Sequence, residues 1–250
     1  MKALITGASS GIGRDIAYYL ASKGYDLILV ARREDRLKEV QKKVSVNTKI
    51  IPMDLSIEKN VYKLYDMTKD ENIDMLVNNA GFAVFGFTSK NDIDKEIQMM
   101  NVNINALYIL TRLFLNDFIK RNSGYILNVG SSAGFLAGPK LNTYYATKNF
   151  VVKFTLGLYE ELKHQKSNVH VSVLCPGPVE TEFNKVGGGH FNVKALSSEY
   201  VAKYAIDKTL KNKYLIIPGI TIKMALFFNR FLPYKLSLKV AYTIQDKKTR

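Results

Sequence analysis

The 250 residues are 47% hydrophobic and 23% charged, with 16 Gly and 6 Pro, a globular balance that excludes a disordered or collagen-like chain. A lone cysteine, Cys175, excludes an intrachain disulfide scaffold and points to a reducing compartment, the cytoplasm being the expected location. The net charge is 36 − 22 = +14, but Lys211 to Arg250 holds nine Lys/Arg against Asp246 alone, or +8, so no nucleic-acid footprint over the whole protein is expected.

Short β-branched runs alternate with amphipathic stretches through the first two thirds of the chain, the pattern of βαβ units. Residues 2–6 read as a strand, 11–22 as a helix, 26–31 as a strand and 35–44 as a helix. A strand follows at 49–55, a helix at 57–69 and a fourth strand at 73–78. Residues 92–120 are predicted helical with a break near Asn101, then come a strand at 125–129, a long helix at 143–163 and a strand at 169–174. Residues 177–198 read as irregular, 198–211 as a helix, 214–217 as a last strand, and the remainder as basic and helical. The expected fold is α/β: one doubly wound Rossmann-type domain over residues 1–250, with a mainly parallel sheet flanked by helices. Met1–Thr6 runs straight into a glycine motif, so no signal peptide is expected. Arg112 and Lys223 interrupt the most apolar stretches before they reach the length of a membrane span.

Strand 2–6 ends in Thr6-Gly7-Ala8-Ser9-Ser10-Gly11-Ile12-Gly13 and enters a helix. Glycines there let the backbone turn sharply and approach a pyrophosphate held at the helix N-terminus. The second strand ends in Ala31-Arg32-Arg33-Glu34. Ala31 stands where an acid would bond the ribose 2′-hydroxyl of NAD, and Arg32 offers a planar fork for a 2′-phosphate, so NADP is favoured over NAD. Arg32 and Arg33 as solvated helix-start residues is the plainer reading. Asp54-Leu55 closes the third strand where an adenine would lie, and Asn78-Asn79-Ala80-Gly81 closes the fourth. Tyr144 and Lys148 are spaced i, i+4 on one helix face. A lysine ammonium beside the phenol is expected to lower its pKa toward the neutral range. Tyr145 fails the same test, since four residues on it meets Asn149.

Taken together, these motifs resemble the classical short-chain dehydrogenases/reductases, over essentially residues 2–181. The likeness rests on the Thr6–Gly13 loop, Asn78–Gly81, the Tyr144/Lys148 pair, Pro139, and the run Pro176-Gly177-Pro178-Val179-Glu180-Thr181. The resemblance implies a catalytic tetrad of Asn103, Ser131, Tyr144 and Lys148. Asn103 is the least defined member because asparagines recur at 101, 103 and 105. It implies cofactor contacts from Gly7, Ser9, Ser10, Gly11, Ile12 and Gly13, from Arg32, Arg33, Asp54 and Leu55, and from Asn79, Ala80 and Gly81. Tyr144, Lys148, Pro176, Gly177, Val179 and Thr181 complete that set. Tyr144 would exchange a proton with the substrate oxygen, Ser131 would hold that oxygen, Lys148 would hold the nicotinamide ribose, and Asn103 would anchor a water relay. No metal is implied, and His164, His170 and His190 lie far apart in sequence.

The expected activity is reduction of a carbonyl, or oxidation of the alcohol, in an apolar or lipid-like small molecule. A nucleotide-sensing regulator without turnover is the alternative. Residues 182–198, with Gly187-Gly188-Gly189, Phe183 and Phe191, read as a substrate lid or as an ordinary loop. Stripes at Leu107, Leu110, Phe114 and Phe118 and at Phe150, Phe154, Leu158 and Leu162 are first core positions, and the resemblance makes the same two helices a homodimer or homotetramer interface. Residues 219–250 form a basic extension whose Phe227, Phe228, Phe231 and Leu232 cluster at helical spacing. Those side chains pack on the pocket or a neighbouring subunit, or else contact an anionic membrane surface, or the cations recruit an acidic carrier protein.

Overall fold

Stretches such as Ala3-Leu4-Ile5, Leu27-Ile28-Leu29-Val30 and Met75-Leu76-Val77 are buried along their whole length, as strands covered on both faces of a parallel sheet must be. A computed structural model describes residues 1–183 and 195–246. Strands β1 (Lys2–Thr6), β2 (Asp26–Ala31), β3 (Thr48–Pro52), β4 (Met75–Asn78), β5 (Gly124–Val129), β6 (Val169–Leu174) and, after the short pair below, β9 (Leu215–Ile216) form one sheet. Its order is β3-β2-β1-β4-β5-β6-β9, and every pairing is parallel.

Helices cover both faces. On one, α1 (Gly11–Ser22), α2 (Glu34–Lys42) and α7 (Ser198–Thr209) bury Ile16, Leu20, Leu37 and Ile206 against the strands. On the other, α3 (Glu58–Asp66), α5 (Leu107–Lys120) and α6 (Asn142–His164) enclose Leu64, Leu110, Phe114, Phe118, Leu158 and Leu162. Both predicted stripes are thus core, although Phe150 and Phe154 stay partly exposed at the edge. Between sheet and helices, Asn78 Nδ2 donates to Thr111 Oγ1 at 3.0 Å and Asn128 Oδ1 at 2.9 Å, and Asn128 Nδ2 donates to Thr155 Oγ1 at 3.0 Å. A buried network of this kind ties β4, β5, α5 and α6 together.

Several expectations shift. The helical stretch before α5 does not break at Asn101. Capped by Asp92, whose Oδ1 accepts from Asp94 N at 2.9 Å, α4 (Ile93–Met100) continues through a π-helical turn (Asn101–Ala106) into α5. Strand β3 stops at Pro52, because Asp54 Oδ1 accepts from Ser56 N at 2.9 Å and turns the chain into α3. The stretch read as irregular holds a two-stranded parallel pair, β7 (Val179–Glu180) with β8 (Leu196–Ser197). The C-terminal extension is two helices, α8 (Ile220–Asn229) and α9 (Tyr234–Asp246), separated around Pro233, which cannot continue a helix begun before it.

Candidate active site

At the carboxyl ends of β1, β4, β5 and β6, where the strand order reverses about β1, lies a cleft of about 430 Å³. Open parallel sheets bind ligands at such a switch point. The glycine loop forms one end. Gly11 adopts φ +53°, and a Cβ on it would meet Thr181 Cγ2 at 2.9 Å, so Thr181 closes directly over the loop. Asn79 fastens the loop from below: its Nδ2 donates to Thr6 O at 3.0 Å and to Gly7 O at 3.1 Å. No side chain caps α1, and its first turn carries no acid, so its amides suit an anion. A glycine cradle before an uncapped helix fits a dinucleotide pyrophosphate.

Gly13 sets the tolerance of this cradle. A Cβ there would lie 2.3 Å from Asn79 Nδ2 and 2.4 Å from Gly7 O. Gly13→Ala is expected to cost about 1–3 kcal/mol by overpacking. In a thermal melt that is a fall of roughly 2–12 °C, and an unchanged midpoint would contradict the packing.

Arg32, Arg33, Asp54 and Leu55 line the cleft beyond the loop. Arg33 Nη2 donates to Ser10 Oγ at 3.2 Å and to Glu182 Oε2 at 2.9 Å. The guanidinium holds the Glu182 carboxyl below the usual carboxylate range. Arg32 forms no ion pair among the described residues.

At the other end the four tetrad positions converge. Ser131 follows β5, with its Oγ accepting from Ala133 N at 3.1 Å, and its hydroxyl acts on the Tyr144 phenol to favour the ionised form. Lys148, one turn beyond Tyr144 on α6, donates from Nζ to Val129 O at 2.8 Å and lies 5.9 Å from the Tyr144 ring centroid. Asn103 sits in the π turn: its Nδ2 donates to Thr147 Oγ1 at 3.1 Å and to Phe82 O at 3.0 Å, and its Oδ1 accepts from Phe82 N at 3.1 Å. Of the three alternating asparagines it alone is buried, whereas Asn105 bonds Asn101 at the surface. A Cβ on Gly81 would lie 2.9 Å from Asn103 Oδ1 and 3.5 Å from Lys148 Nζ, so the two side chains flank one backbone position.

The electrostatics differ from the sequence expectation. Lys148 does not lower Tyr144 here. Burial raises the phenol above the ordinary tyrosine range, and the Ser131 hydroxyl only partly opposes it. Burial also lowers the Lys148 amine to about 8, because a low-dielectric surrounding disfavours the charged form of either group. We expect a lysine NMR signal, absent from Lys148→Met protein, to titrate with a midpoint near pH 8. A midpoint near that of a free lysine would mean the amine is solvated.

The substrate side contains residues that the motifs did not single out. Phe82, Phe85, Gln98, Val102, Tyr145 and Gln245 line it. Tyr145 is largely buried, and its hydroxyl accepts from Gln245 Nε2 on α9. A glutamine one hundred positions from its partner carries no local signal, and the spacing test applied to Tyr145 looks only for a lysine four residues on. Phe183 packs on Tyr144 with ring centroids 5.5 Å apart, while Gly187–Gly189, His190 and Phe191 lie outside the described residues. Among the described residues no His, Cys, Asp and Glu side chains are grouped as metal ligands.

The family model described as short chain dehydrogenase matches residues 1–188. The chain belongs to this family. An uncharacterized oxidoreductase of Staphylococcus saprophyticus is 32% identical over 228 residues, covering 88% of this chain and 96% of that protein. The very-long-chain 3-oxoacyl-CoA reductase of Rattus norvegicus is 34% identical over 74% of this chain, which spans 61% of that protein's length. A short-chain dehydrogenase from Sphingobium yanoikuyae, solved in complex with NADPH, superposes with a TM-score of 0.83 at 27% identity over 92% of this chain and 93% of that one. A family member from Burkholderia phymatum, solved with NAD, shares the fold at a TM-score of 0.84 and 24% identity over 92% of each chain. Membership makes the protein an oxidoreductase of the short-chain dehydrogenase type, and its cleft is the nucleotide-binding side of a Rossmann-like fold.

Proposed function

We propose that this oxidoreductase uses NADPH to reduce a carbonyl group of an apolar or lipid-like molecule to the alcohol. The observation that carries the reading is the convergence of Tyr144, Ser131, Lys148 and Asn103 at one end of a cleft whose other end is the glycine loop. Residues Gly7 to Gly13 would hold the pyrophosphate, Asp54 and Leu55 the adenine, Arg32 and Arg33 the 2′-phosphate, and Asn79 to Gly81 the adjoining ribose. Pro176, Gly177, Val179 and Thr181 would line the nicotinamide, which when bound supplies the hydride exchanged with the carbonyl carbon.

The chain's own groups handle the proton. Tyr144 gives its phenolic proton to the carbonyl oxygen, and Ser131 donates a hydrogen bond that steadies negative charge on the same atom. Lys148, with an amine that exchanges its proton near pH 8, lies behind Tyr144 and serves both the ribose and proton return. Asn103 fixes the π turn to Thr147 and Phe82, where it can anchor a water relay. The phenyl rings of Phe82, Phe85 and Phe183 favour apolar substrates, and the similarity to a protein named for very-long-chain 3-oxoacyl-CoA reduction favours acyl carbonyls among them. Tyr108, exposed beside Phe150 and Phe154, supports homodimer or homotetramer formation through α5 and α6. The buried free Cys175 suits the cytoplasm.

NADPH oxidation measured against ketones, aldehydes and 3-oxoacyl thioesters tests the reading. Turnover of one apolar class supports it. NADPH binding without turnover of any class would favour the nucleotide-sensing regulator instead.

A further inference from the structure

Seven of the ten residues of α8 are apolar, yet none is buried. The helix is seated by one side only: Ile222 lies over Gly177, where a Cβ would come within 2.6 Å of Ile222 Cδ1. Its other side presents Ile220, Phe227 and Phe228, which together with Phe231 and Tyr234 just beyond are each more than half exposed. Phe227 stacks edge-on with Phe228 at 5.6 Å and with Phe231 at 5.4 Å, so the rings form one cluster.

Helix α9 repeats the division. Leu238, Ala241 and Gln245 form its inward stripe, ending in the buried Gln245 at the cleft. Leu236, Val240 and Ile244 form an outward stripe at i, i+4 spacing, all exposed. Arg230, Lys235 and Lys239 are exposed along these two helices, Lys223 bonds Tyr204 of α7, and the acid on these helices, Asp246, is drawn inward to pair with Lys140.

From this arrangement we infer that the outer face of α8 and α9 docks on an anionic lipid surface, with the substrate end of the cleft directly behind it. An apolar aromatic cluster ringed by cations is complementary to a bilayer interface, where rings enter the headgroup region and cations meet anionic lipid. A second copy meeting this face would bring its exposed cations against their equivalents. An acidic soluble protein would satisfy the cations and leave the rings in water. At ten residues α8 is about 15 Å long, half the roughly 30 Å of a hydrocarbon core, and no described helix is long and apolar enough to cross a membrane. The contact is therefore peripheral. Because Gln245 and Ile222 join the inner sides of the two helices to the cleft wall, the docked face stands beside the mouth that an apolar carbonyl would enter. Docking itself does not depend on the redox reading.

Cosedimentation of the full chain with phosphatidylglycerol/phosphatidylcholine vesicles tests it. Binding is expected at low salt and is expected to weaken at high salt and on pure phosphatidylcholine. Phe228→Ser/Phe231→Ser and Lys235→Glu/Lys239→Glu should each lower the partition coefficient at least about tenfold. Both variants should keep their thermal midpoint and NADPH binding, because none of the four side chains lines the cleft. Wild-type protein remaining in the supernatant at low salt would overturn the inference, as would either variant binding like wild type. A dimer dissociated by Phe228→Ser/Phe231→Ser, or capture by an acidic acyl carrier protein, would overturn it if found without vesicle binding.

Discussion

Tyr144→Phe is expected to lower turnover by at least about 10²-fold while leaving NADPH binding in place. The substitution keeps the ring against Phe183 and Tyr145 and removes only the hydroxyl on which Ser131 acts. Lys148→Ala should weaken turnover and binding together, since it takes away the amine behind Tyr144 and its bond to Val129 O. Tyr145→Phe is the control. It deletes the acceptor of Gln245 Nε2 on the substrate side, so KM should change more than kcat. Steady-state kinetics of the three variants separate these roles. A crippled Tyr145→Phe beside a mild Tyr144→Phe would give the proton to Tyr145 instead of Tyr144, and the Ser131 role would fall with it.

Cofactor choice should follow Arg32. Charge-assisted hydrogen bonds to a 2′-phosphate contribute roughly 1.5–3 kcal/mol, so NADPH is expected to exceed NADH in kcat/KM by a factor of about 10 to 100. Arg32→Ala should erase most of that ratio. The neighbouring arginine is shared with Glu182 through a pair in which each side chain is 45% exposed. Such a pair is worth little and exchanges readily. Arg33→Ala should therefore cost less than Arg32→Ala. Equal efficiency with the two cofactors in the unmodified protein would end the NADP assignment.

Much of this site was legible locally. The glycine spacing after β1 and the i, i+4 relation of Tyr144 and Lys148 are properties of adjacent residues, and β1, β2 and β6 have the bounds their apolar runs predict. A parallel strand declares itself because both its faces must be apolar, and a glycine turn because few residues accept its backbone. Between helices the signal weakened: polar Asn101-Val102-Asn103 looked like a break, whereas the chain keeps its hydrogen bonding by widening to a π turn.

The remaining features belong to the tertiary structure. Asn103 is set apart from Asn101 and Asn105 by Phe82, 21 positions away, and by Thr147, 44 positions away on another helix. Gln245 reaches Tyr145 across 100 positions, and Arg33 reaches Glu182 across 149. The sign of the Tyr144 shift lies beyond local spacing for the same reason. Spacing on one helix places an amine near a phenol, but a pKa answers to the whole surrounding medium. Here that medium is the wall of packed side chains that removes water from both groups. Neighbours along the chain determine backbone geometry and which residue types recur on a face. Burial, and the partners met through space, exist only once distant segments have packed.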